Sequence, residues 1–388
     1  MFQNRYHLRY FSQKVDFEIK ELYWQTALSS FALALVFIFE PIYLYSLGYS
    51  MVNILWFYAQ VYIYYLLLIG FGAKFSSRWG LKHGIIVSNV FYLIYWIVLF
   101  SVKANPFFFY IAPLFFAFQK AWFWPSFNAD MALKSQNCQR GREVGVMYSL
   151  VEVVFIAGPL VGGFISEFYG FYTLFFAAGL FMVASIYPLM LTKDQFPRHI
   201  FSYHNLWKIF RKNWSNFWGY WGYAEDLMVM SIWPIFVFIM TQNLSTVGMI
   251  STVAAAIGAF VMLYVGKLTD KSNKSVLLKN FSFFYALTWV FRFLTTNLGS
   301  VLFFDSLTKV GKDIVHIPVA AVTFENAGEK NGEHALAFSV FYEMSLSVAK
   351  LFVCLSGMAI LYYTANVHLL FILVGVFTMF YGLLRTNK

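Results

Sequence analysis

The chain has 388 residues and a formal net charge of +10, yet only 12% of its residues are charged. Soluble domains contain about 25% charged residues, whereas here 60% of the residues are hydrophobic and the mean hydropathy is +0.63. A soluble globular protein is therefore excluded. The basic residues are spread over short segments between apolar stretches instead of one soluble face, so we expect no nucleic-acid partner.

Apolar segments of helical length follow one another along the chain, and each is long enough to cross ~30 Å of hydrocarbon. The twelve predicted spans cover residues 21–46, 52–72, 84–102, 106–131, 143–167, 172–192, 214–240, 246–266, 279–297, 300–324, 333–357 and 366–385. Most Lys and Arg residues lie at the termini and in the connections after even-numbered spans. The positive-inside rule then predicts a multi-pass protein of the cell (cytoplasmic) membrane with both termini cytoplasmic.

An internal repeat divides these spans into two sets of six. The connection after the second span, Ala73 to Gly80, returns after the eighth span as Gly266 to Asn273. A doubled membrane domain is typical of proteins whose two bundles rock around a site held between them. The repeat predicts an N-terminal bundle over 1–192, a cytoplasmic linker over 193–213 and a C-terminal bundle over 214–388.

The fifth span is unusually rich in small residues. Its glycine motif comprises Gly145, Gly158, Pro159, Gly162 and Gly163. Small residues let helix backbones approach closely in a bilayer, and the small residues from Ala254 to Ala259 in the eighth span offer a facing surface. Two interpretations stay open, a seal between the two bundles or a close helix crossing without a role in transport.

The chain resembles the major facilitator superfamily over essentially its whole length. The features that carry this resemblance are the two connections, Arg142 and the fifth-span motif. The loop motif of that family reads Gly-x-x-x-Asp-Arg-x-Gly-Arg. The first copy here keeps Arg78 and Gly80, and the second keeps Gly266, Asp270 and Lys271. The resemblance implies an all-α fold of twelve helices in two pseudo-symmetric six-helix bundles, and transport by alternating access.

The resemblance also implies roles for these motifs. An Asp in the loop is expected to contact the positive end of a neighbouring helix and to latch the cytoplasmic side. Asp270 fits this role, whereas Ser77 in the first copy can only form a hydrogen bond, and both loops are alternatively simple turns. The fifth-span motif occurs mainly in antiporters of the family.

Ionisable residues inside the spans indicate the site, because each costs at least ~2.5 kcal/mol at mid-depth unless it faces a cavity or a partner. They recur in every third span, and the resemblance implies that these spans line the central cavity. The predicted substrate and proton pathway comprises Glu40, Lys120, Glu225, Asp226, Lys309, Lys312, Asp313 and His316. Those of the tenth span, together with Asp305, fall on one helical stripe.

Five further charged residues lie inside spans. Glu152 in the fifth span, with Glu343 and Lys350 in the eleventh, is expected to reach the cavity edge or to bridge the bundles. Arg292 and Asp305 flank a short hairpin and are expected to form a structural pair. Within the stripe, Lys309 and Asp313 also have the i, i+4 spacing of a plain ion pair.

Proton coupling requires a group that changes protonation during the cycle. Asp313 beside Lys312, Glu225 or Asp226, and His316 are the candidates, although each also fits a static buried ion pair. The sequence therefore predicts a proton-coupled antiporter that exports small amphipathic molecules. The alternatives are an importer or symporter of a charged metabolite, a lipid-handling protein, and a non-transporting sensor.

Nothing in the sequence indicates an enzyme. There is no HExxH motif, and Cys138 and Cys354 lie in different regions without metal-ligand spacing. We expect no metal and no cofactor. The expected partners are a small-molecule substrate, protons and the lipid bilayer, with the chain acting as a monomer.

Overall fold

The structure is a computed structural model that describes residues 17–134, 140–192, 201–271, 274–327 and 332–385. Within these ranges the side chains at 17–19, 132–134, 140–149, 262–271 and 332 are not described. All regular structure in the described ranges is helical. The predicted all-α fold with twelve spans is confirmed.

Glycine and serine set the ends of the helices in the first half, which comprises spans 1 to 6. The first span comprises Phe17–Val36 and Phe39–Ser46, and the second to fourth are Met51–Trp79, Leu81–Ser101 and Phe108–Lys134. The fifth and sixth spans together comprise Arg140–Ala184 and Ile186–Leu189. Ser50 caps the second span by accepting a hydrogen bond from the Asn53 N–H at 3.3 Å. Gly80, at φ 110°, ends that span and begins the third, a conformation that glycine adopts without strain.

The turn between the fifth and sixth spans lies at Gly170, within residues 168–171 that separate the two predicted spans. Helical residues continue on both sides of Gly170, whose φ of 80° is the only non-helical conformation between Arg140 and Ala184. A single left-handed glycine therefore separates two apolar spans.

The second half, which comprises spans 7 to 12, follows a short helix on the cytoplasmic side of the predicted topology, Tyr203–Lys212. Spans 8 to 12 are Leu244–Lys271, Lys274–Phe291 with Arg292–Leu294, Leu298–Ala327, Gly332–Thr364, and His368–Thr378 with Met379–Leu383. The seventh span is broken into four short helices, Trp214–Gly219, Tyr220–Ala224, Glu225–Met230 and Ile232–Thr241. This break places two carboxylates in the first turn of its third piece.

Large apolar side chains are exposed on the outer spans, as expected of surfaces that face lipid. Examples are Ile97 in the third span, Leu180 in the sixth, Phe283 in the ninth and Val376 in the twelfth, each more than half exposed. Among the described residues, the buried side chains of Asp, Glu, Lys and Arg lie on other spans, apart from Arg292 and Lys82. The helices thus enclose a polar centre inside an apolar shell.

Candidate functional site

Five ionisable side chains form a central network between the seventh, tenth and eleventh spans. They are Glu225, Asp226, Lys312, His316 and Lys350. Lys312 donates to Asp226 Oδ1 and lies 3.6 Å from Glu225 Oε1. His316 Nε2 is 3.1 Å from the same Glu225 oxygen, and Lys350 Nζ is 3.3 Å from Asp226 Oδ2.

Glu225 and Asp226 are adjacent in one helical turn of the seventh span, and both reach this network. The helix restarts at Glu225, so Glu225 and Asp226 occupy its first turn and address different partners. Gly222 lies against the Tyr381 ring, where a Cβ atom would overlap it. Tyr381 Oη is 3.2 Å from His316 Nε2, which extends the network to the twelfth span.

A second group, the bridging trio, joins the two halves through Glu152, Lys309 and Asp313. Lys309 Nζ is 3.1 and 3.2 Å from the two oxygens of Glu152, and 2.9 Å from Asp313 Oδ1. Gly258 packs directly against Asp313 and Lys309, so the eighth span closes over the trio. Two carboxylates therefore share one ammonium group, and the Asp313 side chain is 2% exposed.

Lys120 lies in the fourth span, apart from the carboxylates of both networks. It is 9% exposed, and among the described residues no acidic oxygen lies within the 4.0 Å of an ion pair. Its Nζ lies 4.6 Å from the centre of the Phe116 ring and 5.9 Å from that of Tyr62. The Nζ of Lys350 lies 5.8 Å from the same Tyr62 ring, so two ammonium groups flank one aromatic side chain.

Glu343 in the eleventh span links the halves through neutral partners. It accepts hydrogen bonds from Tyr65 Oη at 3.0 Å and from Asn128 Nδ2 at 3.3 Å. Both donors belong to the first half. The sequence leaves two positions open for Glu343, the cavity edge or a bridge between the bundles. In the structure Glu343 bridges the two halves.

Three predicted residues lie in two separate local clusters. Glu40 is buried and accepts hydrogen bonds from Tyr95 Oη at 3.0 Å and Trp96 Nε1 at 2.7 Å, both within the first half. Arg292 and Asp305 lie 2.6 Å apart, as expected of a structural pair. The Arg292 guanidinium also lies 3.8 Å from the centre of the Trp233 ring.

The first half contains a buried ion pair that the sequence does not predict. Lys82 Nζ lies 2.8 Å from Glu21 Oε2, and the Thr192 hydroxyl donates to that oxygen at 2.6 Å. Both charged side chains are 3% exposed or less. Their positions at the ends of predicted spans suggest surface residues. Only the packing of the first, third and sixth spans brings them together.

The fifth-span glycines pack against two different helices. Gly158 and Gly162 lie against Ala34 and Leu35 of the first span, whereas Gly163 lies against the start of the eighth span near Gly248. Gly248 in turn approaches the carbonyl of Pro159. The contact with the eighth span therefore lies nearer its start than the stretch from Ala254 to Ala259.

The loop motif is described only in its first copy. Gly80 joins the second and third spans, Arg78 lies near the Trp79 ring at 5.9 Å, and Ser77 Oγ donates to the Lys74 carbonyl at 2.8 Å. The side chains of Arg142, Gly266, Asp270 and Lys271 lie outside the described residues, so the latch stays a prediction.

Glu225, Asp226 and His316 have ligand atoms within 4.8 Å of one another, a spacing that suits a metal ion. The Lys312 ammonium, however, already contacts both carboxylates. A second cation at this position would be repelled. The ammonium of Lys312 is thus the cation that these carboxylates bind.

The twelve-span fold with a buried charged centre between two halves defines a membrane transport protein. The family model described as Major Facilitator Superfamily matches residues 22–349, and the chain belongs to this superfamily. It is a multi-pass secondary transporter and not an enzyme. No curated protein matches the chain.

Solved structures share the fold at low sequence identity. The D-xylose-proton symporter is similar with a TM-score of 0.71 and 12% identity, covering 94% of this chain and 96% of that one. The E. coli fucose:proton symporter has a TM-score of 0.66 and 12% identity, with 95% and 98% covered. The human organic anion transporter MFSD10 has a TM-score of 0.69 and 11% identity, with 95% and 99% covered.

Proposed function

We propose that this protein is a proton-coupled antiporter that exchanges protons for a small amphipathic molecule by alternating access. The observation that carries the proposal is the bridging trio. Two carboxylates that share one ammonium in a poorly solvated site leave one negative charge uncompensated, and a proton can neutralise it. Since Glu152 belongs to one half and Lys309 and Asp313 to the other, this proton would change a contact on which the relative position of the halves depends.

The other contacts between the halves support the same mechanism. Glu343 binds Tyr65 and Asn128, and the fifth-span glycines meet the eighth span in close contact. We propose that residues 1–192 and 214–388 move as two bundles joined by the linker over 193–213. One chain supplies both sides of the site, so a monomer is sufficient.

The experiment uses purified protein in liposomes and three probes with a common ring system. These are 2-naphthalenesulfonate, the neutral 2-naphthalenesulfonamide and 2-naphthyltrimethylammonium. We expect an outward-directed proton gradient to drive uptake of at least one probe, and a protonophore to remove that stimulation. Protein-free liposomes are the control. Protein-dependent uptake that is unaffected by gradients of either direction would contradict proton coupling.

A symporter of a charged metabolite is the second candidate. Lys120 favours it, because a buried ammonium without a carboxylate partner among the described residues suits a charged substrate. The two candidates differ in the direction of the effective gradient. A symporter would accumulate the probe under an inward-directed proton gradient, whereas an antiporter requires the outward-directed one.

We also propose that both termini are cytoplasmic and that the chain resides in the cell membrane. Reporter fusions at the C-terminus and within residues 193–213 should both report cytoplasm, whereas Lys103 should be accessible from outside. The reason is the strong excess of basic residues on the cytoplasmic side of the predicted topology. An external C-terminus would contradict this arrangement.

A further inference from the structure

We propose that the transported molecule carries an anionic group, such as a carboxylate or sulfonate, that binds between Lys120 and Lys350 beside the ring of Tyr62. This inference rests on the proposed transport function and adds the substrate class. The site lies between the second, fourth and eleventh spans, and therefore at the contact between the two halves.

The first step is the pairing of the other buried cations. Lys82 binds Glu21, Arg292 binds Asp305 and Lys350 binds Asp226. The more exposed Lys309 and Lys312 also have carboxylate partners. Lys120 is as deeply buried, but in the part of the chain that the structure describes no acidic oxygen approaches it within 4.0 Å. An ammonium in a low-dielectric site is costly without a counter-charge. A substrate anion would supply that charge.

The second step shows that two other buried carboxylates, Glu343 and Glu40, already have hydrogen-bond partners of their own. Glu343 faces the same region, but both of its oxygens already accept hydrogen bonds, one from Tyr65 and one from Asn128. Glu40 is likewise held by Tyr95 and Trp96. These carboxylates are satisfied where they lie, so Lys120 remains available to a ligand.

The third step is the geometry around Tyr62. The ammonium groups of Lys120 and Lys350 lie 5.9 and 5.8 Å from its ring centre, and the Phe116 ring lies 4.6 Å from Lys120. An anion beside Tyr62 would meet two positive charges, and the apolar part of the same molecule would meet aromatic faces. A cationic ligand would instead be repelled by both lysines.

Lys350 connects this anion site with the central network. Its ammonium lies 3.3 Å from Asp226, which Lys312 also binds. A substrate anion that attracts Lys350 would compete with Asp226 for it. Substrate binding would thereby weaken a contact of the seventh span.

The test measures binding to the purified full-length protein in detergent, without any proton gradient. Isothermal titration compares 2-naphthalenesulfonate with 2-naphthalenesulfonamide, which has nearly the same shape and no charge, and with 2-naphthyltrimethylammonium. We expect the sulfonate to bind at least tenfold more tightly than the other two probes. Lys120→Gln should reduce sulfonate affinity at least tenfold and leave sulfonamide affinity within about threefold, as expected when one charge–charge contact is removed.

Two further variants control this result. Lys120→Arg keeps the charge and should retain most of the affinity, whereas Lys103→Gln removes an exposed charge in an outer connection and should have no effect. Absence of saturable sulfonate binding, equal binding of all three probes, preference for the ammonium, or an affinity unchanged by Lys120→Gln would each overturn the proposal. Because binding needs no gradient, a preserved sulfonate preference with failed proton-driven uptake would refute the proposed coupling alone.

Discussion

Asp313→Asn and Glu152→Gln should each reduce proton-driven uptake of the preferred naphthalene probe at least ~10-fold, which corresponds to ~1.4 kcal/mol. Each variant removes one carboxylate charge from the bridging trio and preserves size and most hydrogen bonding. The remaining carboxylate and Lys309 then form an ion pair of zero net charge, which does not favour binding of a proton. Probe exchange without a gradient should persist, because the aromatic and cationic side chains around Tyr62 are unchanged.

The matched control is Glu325→Gln, which removes a carboxylate that is half exposed and pairs with Lys274 at the surface. It should retain native uptake, since exposed ion pairs contribute little. The measurement is probe uptake in liposomes with and without an outward-directed proton gradient. Native gradient-driven uptake in both trio variants would show that the trio is a structural contact.

The second large effect concerns stability. Asp305→Ala should lower the free energy of unfolding by ~3–5 kcal/mol, because it leaves the Arg292 charge buried without its partner. The Arg292 side chain is 2% exposed and lies between Trp233 and Trp289, with ring distances of 3.8 and 4.3 Å. Aromatic faces alone cannot replace a carboxylate in a site this poorly solvated.

Unfolding in SDS titrations measures this effect. The double variant Arg292→Met with Asp305→Asn is the control, because it removes both charges and fills similar volume. It should be less destabilised than Asp305→Ala. Equal stability of the native protein and Asp305→Ala would contradict a structural role for this pair.

The sequence predicts which charged residues of the tenth span share a helix face, but not the partner of each. The stripe of the tenth span is one row in sequence, but the structure divides it among three separate sites. Asp305 binds Arg292, and Lys309 binds both Asp313 and Glu152. Lys312 and His316 contact the carboxylates of the seventh span. Helical spacing fixes a common face. It does not specify which neighbouring helix each side chain meets.

Glu225, Asp226 and Glu40 show why the sequence does not predict the partners of other charged side chains. Glu225 and Asp226 lie in one helical turn, so their side chains point in directions about 100° apart, and the sequence does not show which partner each of them meets. The direction of Glu40 toward Tyr95 and Trp96 depends on the packing of the first span against the third. Such contacts between spans determine how a helix is rotated about its own axis. A single sequence gives only the helix period.

An anionic substrate also bears on the direction of transport. When an anion leaves the cell and a proton enters, both movements carry positive charge inward. An inside-negative membrane potential contributes ~2.3 kcal/mol per elementary charge at 100 mV. Both movements then gain from the potential, whereas import of the anion alone is opposed by it. Exchange with protons is therefore consistent with the proposed export.

The most direct test of proton exchange records luminal pH in liposomes loaded with pyranine. Potassium and valinomycin hold the membrane potential at zero, and the naphthalene probe that the native protein binds most tightly is added outside. The permanently charged probes carry no protons by passive diffusion. If protons leave as the probe enters, the lumen becomes alkaline with the native protein but not with Asp313→Asn. Entry of the probe with unchanged or falling luminal pH would contradict antiport.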